Sequence, residues 1–328
     1  MSALRLLPGI QKNISLSNHT TFRIGGAARY FYVAKSKEEI IAAVGWAKAN
    51  PPAGGLPFFV LGGGSNLLVS DRGFDGLIVR IQNLTLRLRS GQEFTIIEAG
   101  VGVPLAKLVA ESVNNGLTGL EWAMGIPGTI GGAVFGNAGA YGHSISENVE
   151  EVRVINGEGK EAKEAIVKKE DCGFGYRESI FKKTGDIILE VVLKLRAGDK
   201  EKSQALIKDI ISNRQGKIPT YHSAGSVFKN YELRNTDYET DPLIKRFPEL
   251  REKIKGGKIA VGYLIEQCGL KGEKVGNAMI AQEHANFIVN LGGAKAEDVV
   301  ALIKLCKEKV KEKFGIELEE EIRYLGFT

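Results

Sequence analysis

Two glycine-rich stretches and a scattered set of polar residues are the parts of this chain that could do chemistry. The first stretch, LGGGSN at 61–66, places three consecutive glycines after an apolar run and before a serine and an asparagine. Without Cβ atoms, successive peptide N–H groups can converge on an anion, and Ser65 and Asn66 add side-chain donors. The second stretch, GIPGTIGGAVFGNAGAYG at 125–142, holds seven glycines. One such loop is most simply a tight turn. Two of them, about sixty residues apart, predict a long ligand with a central pyrophosphate lying between two backbone surfaces. Neither stretch reads as a Walker loop or as GxGxxG, so nucleoside triphosphatase and Rossmann dinucleotide readings lack support.

The polar residues are Arg177 in FGYRESIF, Ser226 in AGSVFKN and Glu321 near the end of the chain. Arg177 is by its local string either a surface partner of Glu178 or a receptor for a carboxylate. Ser226 follows a glycine, and no His–Asp pair accompanies it, so a hydrolase triad is not supported. Strand alternation puts Ser226 and Phe228 on one face and Val227 and Lys229 on the other. Aiming both Ser226 and Lys229 at one point therefore requires a bend.

The elements that must position these residues follow from periodicity and punctuation. Strands are expected at 28–34, 57–61, 76–81, 94–99, 149–155, 187–195 and 286–290. Ser36 opens a helix with a capping-box pattern, Pro104 opens another that Gly116 closes, and further helices are expected at 200–214, near 258–268 and at 295–314. Residues 125–142 read as too glycine-rich for regular structure. A final strand is expected over 316–325, with Ile316, Leu318, Ile322 and Tyr324 on its core face and Glu317, Glu319, Glu321, Arg323 and Leu325 on the other. Strand–strand neighbours mixed with helices favour α+β over a doubly wound sheet.

Composition narrows the function classes. The chain has 328 residues, 43% hydrophobic and 25% charged, which excludes a wholly disordered chain. Its 41 glycines show no Gly-X-Y period, so they serve turns and close approaches. The net charge of +5 is dispersed and suits an anionic small ligand better than a nucleic acid. No run approaches a membrane span, and the opening MSALRLLPGIQKN is too short in apolar residues for a signal peptide. Three scattered cysteines and four histidines give neither a disulfide framework nor metal-ligand spacing, so no metal is expected and a reducing cytoplasm fits.

Seven motifs in order complete the reading: NHTTFRIGG at 18–26, GNAGAYG at 136–142, FGYRESIFK at 174–182, AGSVFKN at 224–230, GYLIEQCGLKG at 262–272, HANFIVN at 284–290 and EEIRYLG at 320–326. With the pair LGGGSN and GIPGTIGGA, the chain resembles the UDP-N-acetylenolpyruvoylglucosamine reductases (UDP-N-acetylmuramate dehydrogenases) from about Asn18 to Gly326. The resemblance implies a vanillyl-alcohol-oxidase-type FAD-binding domain plus a smaller α+β substrate-binding domain. The expected division is 1–214, with two α+β subdomains, and 215–328. It implies non-covalent FAD, NADPH as hydride donor, and the enolpyruvyl ether of UDP-N-acetylglucosamine as substrate. A cytoplasmic monomer of peptidoglycan precursor synthesis, binding neither nucleic acid nor membrane, is expected.

Carried over residue by residue, Arg177, Ser226 and Glu321 are the expected catalytic set. Arg177 stabilises the substrate carboxylate and Ser226 donates the proton. Glu321 either holds the carboxyl region or keeps a proton in the developing enediol. FAD contacts are expected from Gly62, Gly63, Gly64, Ser65 and Asn66 in the first loop. In the second loop they are expected from Ile126, Pro127, Gly128, Thr129, Gly131, Gly132 and Ala133. Tyr176, Lys229, Asn230 and Arg323 are expected to touch the substrate. The short span of about fifty residues from Arg177 to Ser226 resembles the branch that lacks an extra tyrosine loop. The chain departs from its relatives in a longer segment at 231–257, which reads as either a lid or a surface embellishment. It departs also in Tyr231, where proline is common.

Overall fold

Two strand patterns in the sequence produce two kinds of sheet. In the computed structural model, which describes residues 7–50, 55–91, 93–156, 163–233, 237–238 and 240–327, the run IILEVVLKLRA forms the strand Ile187–Ala197. It is buried along most of its length. A strand apolar on both faces belongs in the middle of a sheet. Here Val149–Ile155 pairs with it antiparallel on one side and Phe94–Gly100 on the other. The more polar strands Glu164–Lys168 and Leu86–Ser90 lie outermost. A second sheet is built by parallel pairing, with Phe74–Ile81 between Ala27–Ala34 and Phe58–Leu61. The helix Lys37–Ala49 starts where expected. Ser36 Oγ accepts the Glu39 N–H at 3.2 Å, and Glu39 Oε2 accepts the Lys35 N–H at 2.7 Å. Antiparallel and parallel strands interspersed with helices make this an α+β chain.

The chain divides into two compact units, each discontinuous in sequence. The first holds residues up to Ile14, Ala28–Gly64 and Phe74–Gln215. The second holds Ser15–Ala27, Ser65–Gly73 and the chain from Gly216 onward. The second unit contains an antiparallel sheet in the order His222–Ser226, Phe287–Asn290, Ala278–Ile280, Lys274–Val275. It also contains the helices Val261–Gln267 and Ala296–Phe314. Its core draws Phe22, Ile24 and Leu68 from the early segments to join Phe228, Leu264, Ile288 and Leu302. This burial explains why those short segments belong to it. Among the described residues no helix is long and apolar enough to cross a membrane.

Two sequence expectations fail. The glycine-rich stretch 125–142 does contain regular structure: a short helix, Ile130–Phe135, and a two-residue strand pair, Gly139–Ala140 with His143–Ser144. Glycine disfavours helix by about 1 kcal/mol per residue. Here that is offset by the Thr129 cap and by burial of Ile130, Ala133 and Val134. The expected strand 316–325 is confined to Arg323–Leu325, which pairs parallel with Leu67–Val69. Ile316, Leu318 and Ile322 are buried as expected, but Leu325 is buried and Tyr324 exposed, the reverse of strict alternation. The register breaks because the N–H groups of both Glu321 and Ile322 donate to the Val227 carbonyl, at 2.7 and 3.4 Å.

The segment 231–257 is part of the second unit's core, though residues 234–236 and 239 lie outside the described set. Ile244 and Leu250 are buried in it, and Phe247 meets Phe314 edge-on at 4.9 Å. Its strands Tyr231–Glu232 and Ile254–Lys255 both pair with Lys258–Ile259. These contacts anchor the segment to the unit at Ile244, Phe247 and Leu250.

In the first unit, Glu121 fixes the entry to the second glycine-rich stretch. Its carboxylate is 4% exposed and accepts from Thr118 Oγ1 at 2.7 Å, Ser203 Oγ at 2.5 Å and the Gly119 N–H at 2.8 Å. Burial raises its pKa, but the bonds from Ser203, Thr118 and the backbone outweigh it, and the net shift is downward. A lowered folded pKa adds stability above the ordinary carboxylate value of about 4.3 and loses it as pH falls through the folded value. Glu121→Ala should therefore lower stability by about 1–3 kcal/mol at neutral pH, with a smaller deficit at about pH 3. Urea unfolding at the two pH values checks this, and an equal deficit at both would contradict it.

Candidate functional site

The glycines at 62–64 and 128–132 have different physical reasons to be glycine. A Cβ on Gly63 would lie 2.6 Å from Gly128 Cα, and one on Gly62 would lie 2.7 Å from Thr129 Oγ1. The two stretches are thus in direct backbone contact. No ligand can lie between them there, which corrects the expectation of two separated surfaces. They meet as backbone on backbone, with the Thr129 hydroxyl at the edge of the contact. Gly64 and Gly128 have φ of +65° and +120°, a region that disfavours side chains. Gly131 is a packing glycine: a Cβ there would sit 2.7 Å from Val101 Cβ, and its N–H donates to the Val101 carbonyl at 3.2 Å. Ile130 likewise donates to Val103, Ala133 is buried and donates to Thr129, and Ile126 donates to Ala123. Gly132 is exposed, and a Cβ there would meet nothing closer than 3.8 Å. Of these glycines, Gly132 is the one that the chain's own packing does not demand. Glycine backbone of this kind suits close approach of a flat, pyrophosphate-bearing group. Gly62, Gly63, Gly128 and Gly132 are the residues that could hold it.

Arg177 sits in the first unit on a two-residue hairpin. Gly175 and Glu178 exchange both backbone hydrogen bonds at 3.1 Å, and Arg177 has φ of +57°. That left-handed conformation is unusual for arginine and is strained by about 1 kcal/mol or more. Several contacts hold it. Asn137, 6% exposed, donates to the Gly175 carbonyl at 2.7 Å. Ser179 Oγ donates to the Phe135 carbonyl at 2.6 Å, and Lys182 Nζ to the Arg177 carbonyl at 2.5 Å. Glu178 pairs with Lys182 at 3.6 Å. The Arg177 guanidinium lies 5.5 Å from the centre of the Tyr176 ring. Asn137 was visible in GNAGAYG but had no assigned role. A small amide among glycines and apolar residues was the signal, because a buried amide must find partners.

In the second unit Ser226 ends its strand at a β-bulge. Ser223 pairs with Val289 and Ser226 with Phe287, so the Ser226 strand carries one extra residue. Gly225 supplies it with φ of +78°. Val227 and Phe228 are then both buried, at 1% each. Consecutive burial of Val227 and Phe228 breaks the strand alternation after Ser226. The Val227 carbonyl receives the Glu321 N–H at 2.7 Å, and Phe228 bridges Glu320. Asn66 ties the same segment: its Nδ2 donates to the Glu321 carbonyl at 3.0 Å, and its carbonyl accepts the Arg323 N–H at 3.0 Å. Val227, which follows Ser226, is therefore linked through Glu321 to Asn66 and Arg323 within one unit. Lys229, its side chain only 11% exposed, forms an ion pair with Glu319 at 2.5 Å. Asn230 Oδ1 accepts the Val261 N–H at the start of a helix, at 3.3 Å.

Residues 218–325 match the profile of the UDP-N-acetylenolpyruvoylglucosamine reductase C-terminal domain, and residues 28–163 match an FAD binding domain. A UDP-N-acetylenolpyruvoylglucosamine reductase of Solibacter usitatus is 38% identical over 319 residues, covering 97% of both chains. The crystal structure of UDP-N-acetylenolpyruvylglucosamine reductase from Thermus caldophilus aligns with TM-score 0.74 and 33% identity over 96% of this chain and 99% of that one. A vanillyl-alcohol-oxidase-type flavoprotein of Myceliophthora thermophila aligns with TM-score 0.50 at 9% identity over 87% of this chain and 70% of that one, which shows shared fold alone.

If strain at Arg177 is held for the sake of its side chain, Arg177→Gly relaxes the turn. Its thermal midpoint should equal or exceed the parent's, although the guanidinium is gone. A midpoint several degrees lower would show that the arginine serves packing.

Proposed function

The chain belongs to the UDP-N-acetylenolpyruvoylglucosamine reductase family, and we propose that it reduces the enolpyruvyl ether of UDP-N-acetylglucosamine to UDP-N-acetylmuramate for peptidoglycan precursor synthesis. Bound FAD supplies the hydride chemistry, from NADPH to the terminal carbon of the enol ether. The backbone of Gly62, Gly63, Gly128 and Gly132 holds the cofactor without a covalent link. Residues 61–66 and 125–142 contain neither histidine nor cysteine for a covalent link, His143 lying just beyond. The reading extends to a monomer working in the cytoplasm.

Hydride addition leaves negative charge on the carbon bearing the carboxylate. Arg177 receives that carboxylate, its planar fork matching both oxygens as charge develops. Ser226 Oγ donates the proton to the carbon. A free hydroxyl is a weak acid, so its placement and polarisation decide the rate. Glu321, bound through its own N–H to the Val227 carbonyl, holds the carboxyl region or keeps a proton in the developing enediol. Tyr176, Lys229, Asn230 and Arg323 contact the remainder of the substrate. Lys229 exchanges part of its pairing with Glu319 for the diphosphate. The observation that carries the reading is the Glu321–Val227 bond, which sets a carboxylate residue beside the bulge that leads into the half-buried Ser226.

Stopped-flow measurement of the two half-reactions tests these roles. Ser226→Ala should leave flavin reduction by NADPH near the parental rate and slow reoxidation by the UDP-sugar by ~10²-fold or more. Arg177→Lys should slow the same step, since an ammonium lacks the planar fork. Reoxidation of Ser226→Ala near the parental rate would remove Ser226 from the acid role.

A further inference from the structure

The bulge that presents Ser226 is held from behind by one buried amide. Asn286 is 2% exposed, and its side chain spans the Phe228 peptide groups on both sides. Oδ1 accepts the Phe228 N–H at 2.9 Å, and Nδ2 donates to the Phe228 carbonyl at 2.8 Å. Its own carbonyl accepts the Val227 N–H at 2.8 Å. Three hydrogen bonds from one residue therefore fix the three successive peptide groups that follow Ser226. Regular strand pairing stops at Ser226 and Phe287, so beyond that point this side chain does the work of the ladder. On its other side the Val227 carbonyl receives the Glu321 N–H.

We propose that Asn286 is the positioning residue for Ser226: its amide clamps Val227 and Phe228 and so fixes where the serine hydroxyl points. This rests on the reading of Ser226 as proton donor. No other side-chain type of this length offers a donor and an acceptor at once without charge. A leucine there would leave the Phe228 N–H and carbonyl buried and unpaired. A carboxylate would keep the acceptor but face the Phe228 carbonyl with a like partial charge. The titratable groups around the position are few. The Asn286 N–H donates to His284 Nδ1 at 3.2 Å, and burial holds that imidazole below its ordinary pKa. Glu320, bridged to Phe228, is engaged by Lys307 and Tyr324.

Asn286→Asp is the informative variant, with Asn286→Leu as the fully apolar one. Both should keep the parental rate of flavin reduction by NADPH and slow reoxidation by the UDP-sugar by about tenfold or more. In Asn286→Asp the deficit should shrink as pH is lowered from about 8 to about 6, because burial raises a carboxyl's pKa and its protonated form can donate to the Phe228 carbonyl. No such recovery should occur in Asn286→Leu. Amide hydrogen exchange at Val227, Phe228 and Glu321 should quicken in both variants, with the Ala296–Phe314 helix unchanged. Combined with Ser226→Ala, Asn286→Asp should slow reoxidation by no more than about threefold beyond Ser226→Ala alone, since both act at one proton transfer. If Ser226→Ala itself reoxidises normally, the proton-donor reading falls. If Ser226→Ala is slow while Asn286→Asp matches the parent at every pH, the assignment of Asn286 falls alone. Equal slowing of both half-reactions by Asn286→Asp would also overturn it, by showing a general structural defect.

Discussion

Three buried amide side chains that pair with backbone groups tie distant segments of this protein together. Asn137 binds the Gly175 carbonyl of the Arg177 hairpin. Asn286 brackets Phe228 beside Ser226. Asn290, 4% exposed, donates to the Phe22 carbonyl and accepts from the N–H groups of Gly292 and Ala294. Each joins segments distant in sequence and none carries charge. An unpaired buried amide costs about 1–3 kcal/mol, so each link favours one local geometry over its neighbours. Loops without ladder hydrogen bonds are held in this way.

That rigidity makes strained conformations affordable at the positions used. Arg177 and Asn137 both have positive φ, at +57° and +43°, and both belong to the same hydrogen-bonded cluster. The bulge at Gly225 precedes Ser226, where regular pairing ends, and the Asn286 side chain takes up the Phe228 peptide groups beyond it. Strain and support are adjacent in each case. Functional groups of this kind need fixed placement before the substrate arrives.

Much of this was legible in the sequence where local periodicity decides structure. The strands around 149–155 and 187–195, the helices at 200–214 and 295–314, and the cap at Ser36 stand close to where their patterns put them. The motif order pointed to the family. What stayed hidden depends on partners distant in sequence. Nothing local marks Phe22 and Leu68 as core of the unit that begins again at Gly216. Gly131 reads as a ligand-facing glycine until Val101 is seen against it. Ile130–Phe135 is a helix because of burial and capping rather than propensity. The charged run at 316–321 loses its strand character to two N–H groups that share one carbonyl at Val227.

The activity proposed for this chain is the reduction of one enol ether. Its most direct test is an anaerobic single turnover of the purified protein. The flavin is first reduced by one equivalent of NADPH, and the UDP-N-acetylglucosamine enolpyruvyl ether is then added without oxygen. The account predicts that the flavin absorbance returns in full and that an equal amount of UDP-N-acetylmuramate appears by mass spectrometry. Flavin that stays reduced until oxygen is admitted, with the enol ether recovered intact, would contradict it.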